Sequence, residues 1–174
     1  MKVILVGATG TIGAAVYDVL SDAHDIVRVS RTSGDVQADL SDPASLRALY
    51  EAEDVFDAVV CAAGNAAFGP LDELSDDDFQ LRLASKLMGQ VNLVRFGLPH
   101  IRPQATSSFT LVSGVLSHDP MPGSAAISMV NSGIEGFVRA AALEAPDGVR
   151  VNVVSTPWVS ETLDSMGQDP FGGM

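Results

Sequence analysis

The chain has 174 residues, 47% of them hydrophobic and 18% charged, with a net charge of −12. This length suits a single domain over residues 1–174, and the acidic balance argues against nucleic acid or anionic membrane surfaces as partners, because phosphates would be repelled. No apolar run approaches the ~20 residues of a membrane-spanning helix, and the single cysteine excludes an intrachain disulfide or a cysteine-based metal site, so we expect a cytoplasmic protein without metal.

A buried strand and a glycine-rich turn open the chain. Val3 to Val6 is apolar without alternation, which is typical of a strand covered on both faces of a parallel sheet. Glycines then recur at every third position, and a helical pattern begins at Thr11 or Ile12. Such a turn lets backbone approach a pyrophosphate at a helix N-terminus, where unpaired N–H groups favour an anion. An ordinary strand-to-helix turn is the alternative. The predicted dinucleotide-binding residues here are Gly7, Thr9, Gly10, Thr11, Ile12 and Gly13.

A second strand, Ile26 to Ser30, ends where a dinucleotide-binding fold distinguishes its cofactors. An acidic residue there accepts a hydrogen bond from the ribose 2′-hydroxyl of NAD, whereas a basic residue meets the 2′-phosphate of NADP. This chain has no acid at that point and places Arg31 between Ser30 and Thr32. A charge-assisted hydrogen bond is worth about 1.5–3 kcal/mol. Arg31 therefore favours NADP over NAD, unless it is only a solvated loop charge.

Two further strands follow in the first half of the chain. A short strand within Asp35 to Leu40 brings Asp39 and Leu40 to the expected position of an adenine. Asp42 and Pro43 then begin a helix as its cap and first residue. Phe56 to Ala62 predicts the fourth strand. It is closed by small residues that let a flat ligand lie close, namely Ala62, Ala63 and Gly64.

The second half continues the alternation of strand and helix. Ser75 caps a long helix that runs towards Leu98, and Ser108 to Val112 predicts the fifth strand. A helix over about Ala126 to Leu143 leads to a sixth strand, Arg150 to Val154. Six such alternations predict an α/β fold with a doubly wound parallel sheet in three layers. Its ligand crevice lies outside the carboxyl ends of the strands, where Thr156 and Pro157 are also expected.

With these motifs placed, the chain resembles the short-chain dehydrogenase/reductase family. The resemblance covers nearly the whole chain up to about Thr162, and we expect the domain to lack the family's last strand. It implies a Rossmann fold, NAD or NADP, hydride transfer between cofactor and a small carbonyl or alcohol, and homodimers or homotetramers packed through the two long helices. The matching segments are Gly7 to Gly13, Ala62 to Gly64, Glu135 to Glu144 and Val151 to Ser155.

The usual catalytic residues of that family are missing. Alignment on the Glu135–Gly136 pair puts Ile127 at the tyrosine position and Asn131 at the lysine position, four residues apart. The family's serine falls on Gly114, one residue after Ser113, and its asparagine falls on Lys86. In one interpretation the site is rebuilt: Lys86 supplies a cation or acid, Ser113 donates to the substrate oxygen and Asn131 bonds the ribose.

A second interpretation makes the protein a non-catalytic dinucleotide-binding regulatory or structural protein. Each rebuilt role also has a plain alternative, because Lys86 would otherwise be a solvated or interface charge and Ser113 a strand-end serine bonded to backbone. The family's threonine at the nicotinamide amide maps to Thr162, with Glu161 competing by one residue. The substrate pocket is expected to be apolar, with walls from Phe68, Met121, Ile127 and Trp158.

Overall fold

A six-stranded sheet, wholly parallel in the described residues, forms the centre of the protein. The computed structural model describes residues 1–64 and 68–159. The strand order is β3-β2-β1-β4-β5-β6, which confirms the predicted doubly wound fold. The strands are β1 (Lys2–Val6), β2 (Asp25–Ser30), β3 (Val36–Gln37), β4 (Ala58–Cys61), β5 (Ser108–Gly114) and β6 (Arg150–Thr156).

Helices cover both faces of this sheet. The sequence from β1 to β3 and the sequence from β4 to β6 run in opposite directions along the sheet, so right-handed crossovers place their helices on opposite faces. The helix predicted to run from Ser75 to Leu98 is interrupted by a π-helical segment, Leu83–Met88. A short 3₁₀ turn, Val115–Ser117, follows β5. The α-helices are α1 (Thr11–Leu20), α2 (Pro43–Glu53), α3 (Asp76–Arg82), α4 (Gly89–Gly97) and α5 (Ala125–Glu144).

The glycine turn fixes α1 against the end of β1. Gly7 has a φ of +83°, a conformation that side chains disfavour. A Cβ on Gly13 would lie only 2.0 Å from the carbonyl oxygen of Gly7. Because no side chain fits there, α1 approaches the strand end closely and directs its first N–H groups over the rim of the sheet.

Gln90 positions the π-helical segment and α4 against β5. Strand β4 pairs with β5 only as far as Val60 and Thr110, whereas β5 continues to Gly114. Beyond that point the fully buried Gln90 amide replaces the neighbouring strand: its Nε2 donates to the Val112 oxygen (3.0 Å), and the Val112 N–H donates to its Oε1 (2.9 Å). The strand ends are thereby separated, and a crevice opens above them.

Candidate functional site

Two cavities share the rim at the carboxyl ends of the strands. The first cavity has a volume of about 460 Å³ and lies above β1, β2, β3 and β4. Most of the predicted cofactor residues line it: Gly7, Thr9, Gly10, Ser30, Arg31, Thr32, Asp39, Leu40, Ala62, Ala63 and Gly64. The other five lie elsewhere. Gly13 packs beneath the turn, Thr11 lies on α1, and Ile12, Thr156 and Pro157 line the second cavity.

The N-terminus of α1 borders the first cavity without a competing side chain. Its cap residue is Gly10, so no side-chain oxygen accepts from the first-turn N–H groups. The Gly10 N–H is itself used, donating to the Gly7 oxygen at 3.0 Å. A Cβ on Gly7 would lie 2.7 Å from that of Ala63, which shows how closely backbone meets backbone here. This arrangement fits a phosphate group held by main-chain donors.

The loop after β2 presents one cation to the first cavity. Asp35, the nearest acid along the chain, is bound by the Arg28 guanidinium at 2.8 and 3.0 Å, and these hydrogen bonds lower its pKa to about 2. Arg31 is exposed and forms no ion pair among the residues described. The Ser30 hydroxyl donates to the Ser33 carbonyl and so shapes the turn instead of pointing outward.

Arg82 is a cavity residue that the sequence did not single out. It lies on α3 and lines the first cavity together with Leu81 and Ser85. Its Nη2 donates to Asp78 at 3.2 Å, while its Nε is buried without a partner in the described part of the chain. The sequence offered one clue to Arg82. It stands four residues before Lys86, and residues at that spacing lie on the same side of a helix.

The second cavity, of about 440 Å³, collects the three predicted catalytic residues Lys86, Ser113 and Asn131. It borders the first cavity at Gly64, which lines both. Of the four expected apolar wall residues, Phe68, Ile127 and Trp158 contribute, and Met121 is not among the lining residues described. Thr162 and Glu161 lie outside the described residues.

Lys86 lies within the π-helical segment, a type of distortion that is frequent at functional sites. Only 7% of its surface is exposed, and within the described residues it makes no hydrogen bond or ion pair. A Cβ on Gly64 would meet its Cγ at 2.8 Å, so the lysine stem lies directly on that glycine. Burial lowers the pKa of the Lys86 ammonium below its usual value.

Ser113 reaches the second cavity, but its hydroxyl is already bonded. Its Oγ donates to Glu135 Oε1 at 2.7 Å, and Ser117 Oγ donates to the same oxygen at 2.6 Å. Glu135 Oε2 accepts from the exposed His118 at 2.8 Å. The predicted donation from Ser113 to a substrate oxygen would therefore require its bond with Glu135 to break.

Glu135 is the second functional candidate that the sequence did not single out. In the sequence analysis it only anchored the alignment with the family. It is 6% exposed and joins the end of β5 and the 3₁₀ turn to α5. Burial works to raise its pKa, but the hydrogen bonds from Ser117 and Ser113 and the charge of His118 outweigh it, so the pKa is lowered. The buried group is therefore a carboxylate at neutral pH.

Asn131 occupies the space beside Gly114 that a serine side chain would need. Its Nδ2 donates to the Gly114 oxygen at 3.3 Å, and a Cβ on Gly114 would lie 3.0 Å from that nitrogen. The Oδ1 of this fully buried amide has no partner in the described residues. Because buried acceptors are normally satisfied, the unpartnered Oδ1 is an exception within the described part of the chain.

The described residues hold no group of three or more His, Cys, Asp or Glu side chains placed to bind a metal ion. Within that same part of the chain, no helix has the length and apolar character needed to cross a membrane.

Known proteins resemble this chain in sequence. Residues 6–172 match the family model described as enoyl-(acyl carrier protein) reductase. Over 137 residues the chain is 31% identical to 2,3-dihydro-2,3-dihydroxybenzoate dehydrogenase of Escherichia coli (strain K12). This match covers 72% of the chain and 55% of the relative, so the chain spans little more than half the length of that enzyme.

Solved structures share the fold over most of the chain. The protein lin1944 of Listeria innocua is 36% identical with a TM-score of 0.94, covering 100% of this chain and 86% of that one. A small-chain dehydrogenase crystallised in complex with NADPH is 24% identical with a TM-score of 0.84, covering 99% of this chain and 83% of that one. At 24% identity, the comparison with the NADPH complex shows a shared fold.

Proposed function

Because the chain belongs to the short-chain dehydrogenase/reductase family, we propose that it is an NAD(P)-dependent oxidoreductase. Its reaction is hydride transfer between the cofactor and a small carbonyl or alcohol. The observation that carries the proposal is that Lys86 and Asn131 line one cavity that meets the first cavity at Gly64. The NADPH complex of a protein with this fold supports the cofactor class.

The first cavity suits the adenosine and pyrophosphate half of the cofactor. Main-chain N–H groups at the start of α1 would bind the pyrophosphate, and Arg31 would bind a 2′-phosphate. The nicotinamide would then extend past Gly64 into the second cavity, where Asn131 Oδ1 can accept from a ribose hydroxyl. When bound, the cofactor supplies or takes the hydride.

Lys86 is the only titratable side chain among the described residues that line the second cavity. In the reducing direction its ammonium donates a proton to the substrate oxygen, and the amine takes that proton back during oxidation. A positioned acid of this kind is typically worth 10²–10⁴-fold in rate. Phe68, Ile127 and Trp158 would exclude water and favour an apolar substrate.

NADPH oxidation with a panel of carbonyl compounds tests this function. We expect turnover by the wild type, about 10²-fold or more loss in Lys86→Met and unchanged NADPH affinity by fluorescence titration. If NADPH binds at micromolar affinity and no carbonyl is reduced, the protein is instead a non-catalytic dinucleotide-binding protein. Ile127 in place of the usual tyrosine and the bonded Ser113 hydroxyl favour that second function.

The preference for NADP is tested at Arg31. Arg31→Ala removes one charge-assisted bond, worth about 1.5–3 kcal/mol, from the 2′-phosphate. We expect the Kd for NADPH to rise about 10- to 150-fold and the Kd for NADH to stay within about twofold, since NADH lacks that phosphate. Arg150→Ala, at the opposite end of the sheet, is the matched control. Equal losses for both cofactors would contradict the assignment.

We also infer self-association through the long helices. Met88 and Met129 are large apolar side chains, 41% and 45% exposed, on the π-helical segment and α5. Exposed apolar side chains on both long helices fit contact with a second copy of the chain. Light scattering should give a dimer or tetramer mass that Met129→Lys lowers, and a monomeric wild type would refute the inference. The cytoplasmic location stays a prediction.

A further inference from the structure

The two lysines of this chain have opposite surroundings. Lys2 forms an ion pair with Glu53 at 3.0 Å and donates to its carbonyl oxygen at 2.7 Å. Lys86 is more deeply buried and lies in a cavity whose described lining contains no carboxylate. In a chain with 22 acidic and 10 basic residues, Lys86 is thus placed where its charge is not compensated.

Such surroundings increase the share of the neutral amine at a given pH. Desolvation penalises the ammonium form, and a lysine in an apolar pocket is an activated nucleophile. The cavity that Lys86 lines has apolar walls that include Ile12, Phe68, Ile127 and Trp158. The cavity of about 440 Å³ is large enough for a small aromatic molecule.

We propose that Lys86 forms imines with small aldehydes and ketones that enter the second cavity. This reactivity needs no cofactor and is separate from hydride transfer. The Nζ lone pair attacks the carbonyl carbon, and one amine proton moves to the carbonyl oxygen, which gives a carbinolamine. Loss of the hydroxyl group with the second amine proton, as water, leaves the C=N bond. No oxidant or reductant takes part, and hydrolysis reverses the reaction.

Asn131 supplies the polar contact that this intermediate needs. Asn131 lines the same cavity, and its unpartnered Oδ1 would accept a hydrogen bond from the carbinolamine hydroxyl. Because the remaining walls are largely apolar, aromatic and branched aliphatic aldehydes should react better than hydrophilic ones. The chemical class of ligand is therefore a small apolar carbonyl compound.

Borohydride trapping tests the proposal on the wild-type protein without cofactor. Benzaldehyde and sodium cyanoborohydride at neutral pH convert each imine into a stable benzylamine, which peptide mass spectrometry locates. The chain offers only three amines, the Met1 α-amine, Lys2 and Lys86, so Lys2 is an internal control. We expect Lys86 to be labelled at least tenfold faster than Lys2, with the two rates becoming equal in urea.

Two variants complete the experiment. Lys86→Arg should show only the slow labelling of the Met1 amine and Lys2, and Lys2→Arg should keep the fast labelling. Native Lys86 labelling no faster than that of Lys2 would overturn the proposal. Because no NADPH is present, this result is independent of the oxidoreductase assay, and either hypothesis can fail alone.

Discussion

Replacing Glu135 by alanine is expected to lower the free energy of unfolding by about 2–4 kcal/mol at pH 7. Three donors face this carboxylate, and they do not count equally. Buried Ser113 loses its only short bond and is left with the Asn131 carbonyl at 3.4 Å, so the full value of a bond to a charged group, about 1.5–3 kcal/mol, applies. Ser117 can redirect its one hydroxyl proton to the Gly114 oxygen at 2.9 Å, so it loses about 1 kcal/mol. Exposed His118 contributes little.

A glutamine variant separates the charge from the hydrogen bonds. Glu135→Gln keeps one acceptor oxygen for both serines, so we expect it to cost about 1 kcal/mol. Since the folded-state pKa of Glu135 lies below its ordinary value of 4.5, the stability that the carboxylate contributes is present above pH 4.5 and is lost as pH falls through the folded pKa. The wild type and Glu135→Gln should therefore converge in acid.

Urea unfolding followed by circular dichroism, at pH 7 and at pH 4, measures these differences. Glu144→Ala is the matched control, because Glu144 is an exposed residue on the same helix. If Glu135→Ala loses less than about 0.5 kcal/mol, the range of ordinary surface substitutions, then the three short contacts do not stabilise the junction of β5 and α5. If the difference in unfolding free energy between Glu135→Gln and the wild type grows in acid, the proposed coupling between the Glu135 pKa and stability is refuted.

Two further predictions concern buried groups. Lys86→Met should raise stability by about 0.5–2 kcal/mol at pH 7, because it removes a desolvated ammonium. The folded-state pKa of Lys86 lies below 10.5, so wild-type stability rises as pH approaches that value. Thermal melts at pH 7 and pH 10 should therefore show that the stability difference between Lys86→Met and the wild type becomes smaller at the higher pH. Burial raises the pKa of Cys61 to about 11, so iodoacetamide at pH 8 should modify this thiol only after unfolding, and rapid native labelling would disprove its burial.

The fold was predictable because its signals are local. A buried apolar run such as Val3 to Val6 and the glycines after it specify a strand and a turn within a few residues. Once six such units alternate, the chirality of crossovers leaves few arrangements, and the strand ends must share one rim. Arg31 and Ala62 could thus be assigned to one cavity from sequence alone.

Glu135 could not be assigned in this way, because its role depends on distant residues. A glutamate on a helix usually belongs to the solvated face, and only the arrival of Ser113 and Ser117 from the neighbouring strand and turn gives it partners. The π-helical segment was missed for a related reason. The apolar pattern from Leu83 to Met88 also fits an α-helix, and the distortion becomes visible only in the hydrogen-bond pattern.

Ile127 and the buried Lys86 line the same cavity. Asn131 carries no charge, so Lys86 is the one cation among the described residues that line this cavity. Ile127 contributes to the apolar lining of the cavity in which Lys86 lies. This apolar lining contributes to the desolvation that lowers the pKa of Lys86. On the proposed mechanism, the proton of the reaction comes from the π-helical segment and not from α5.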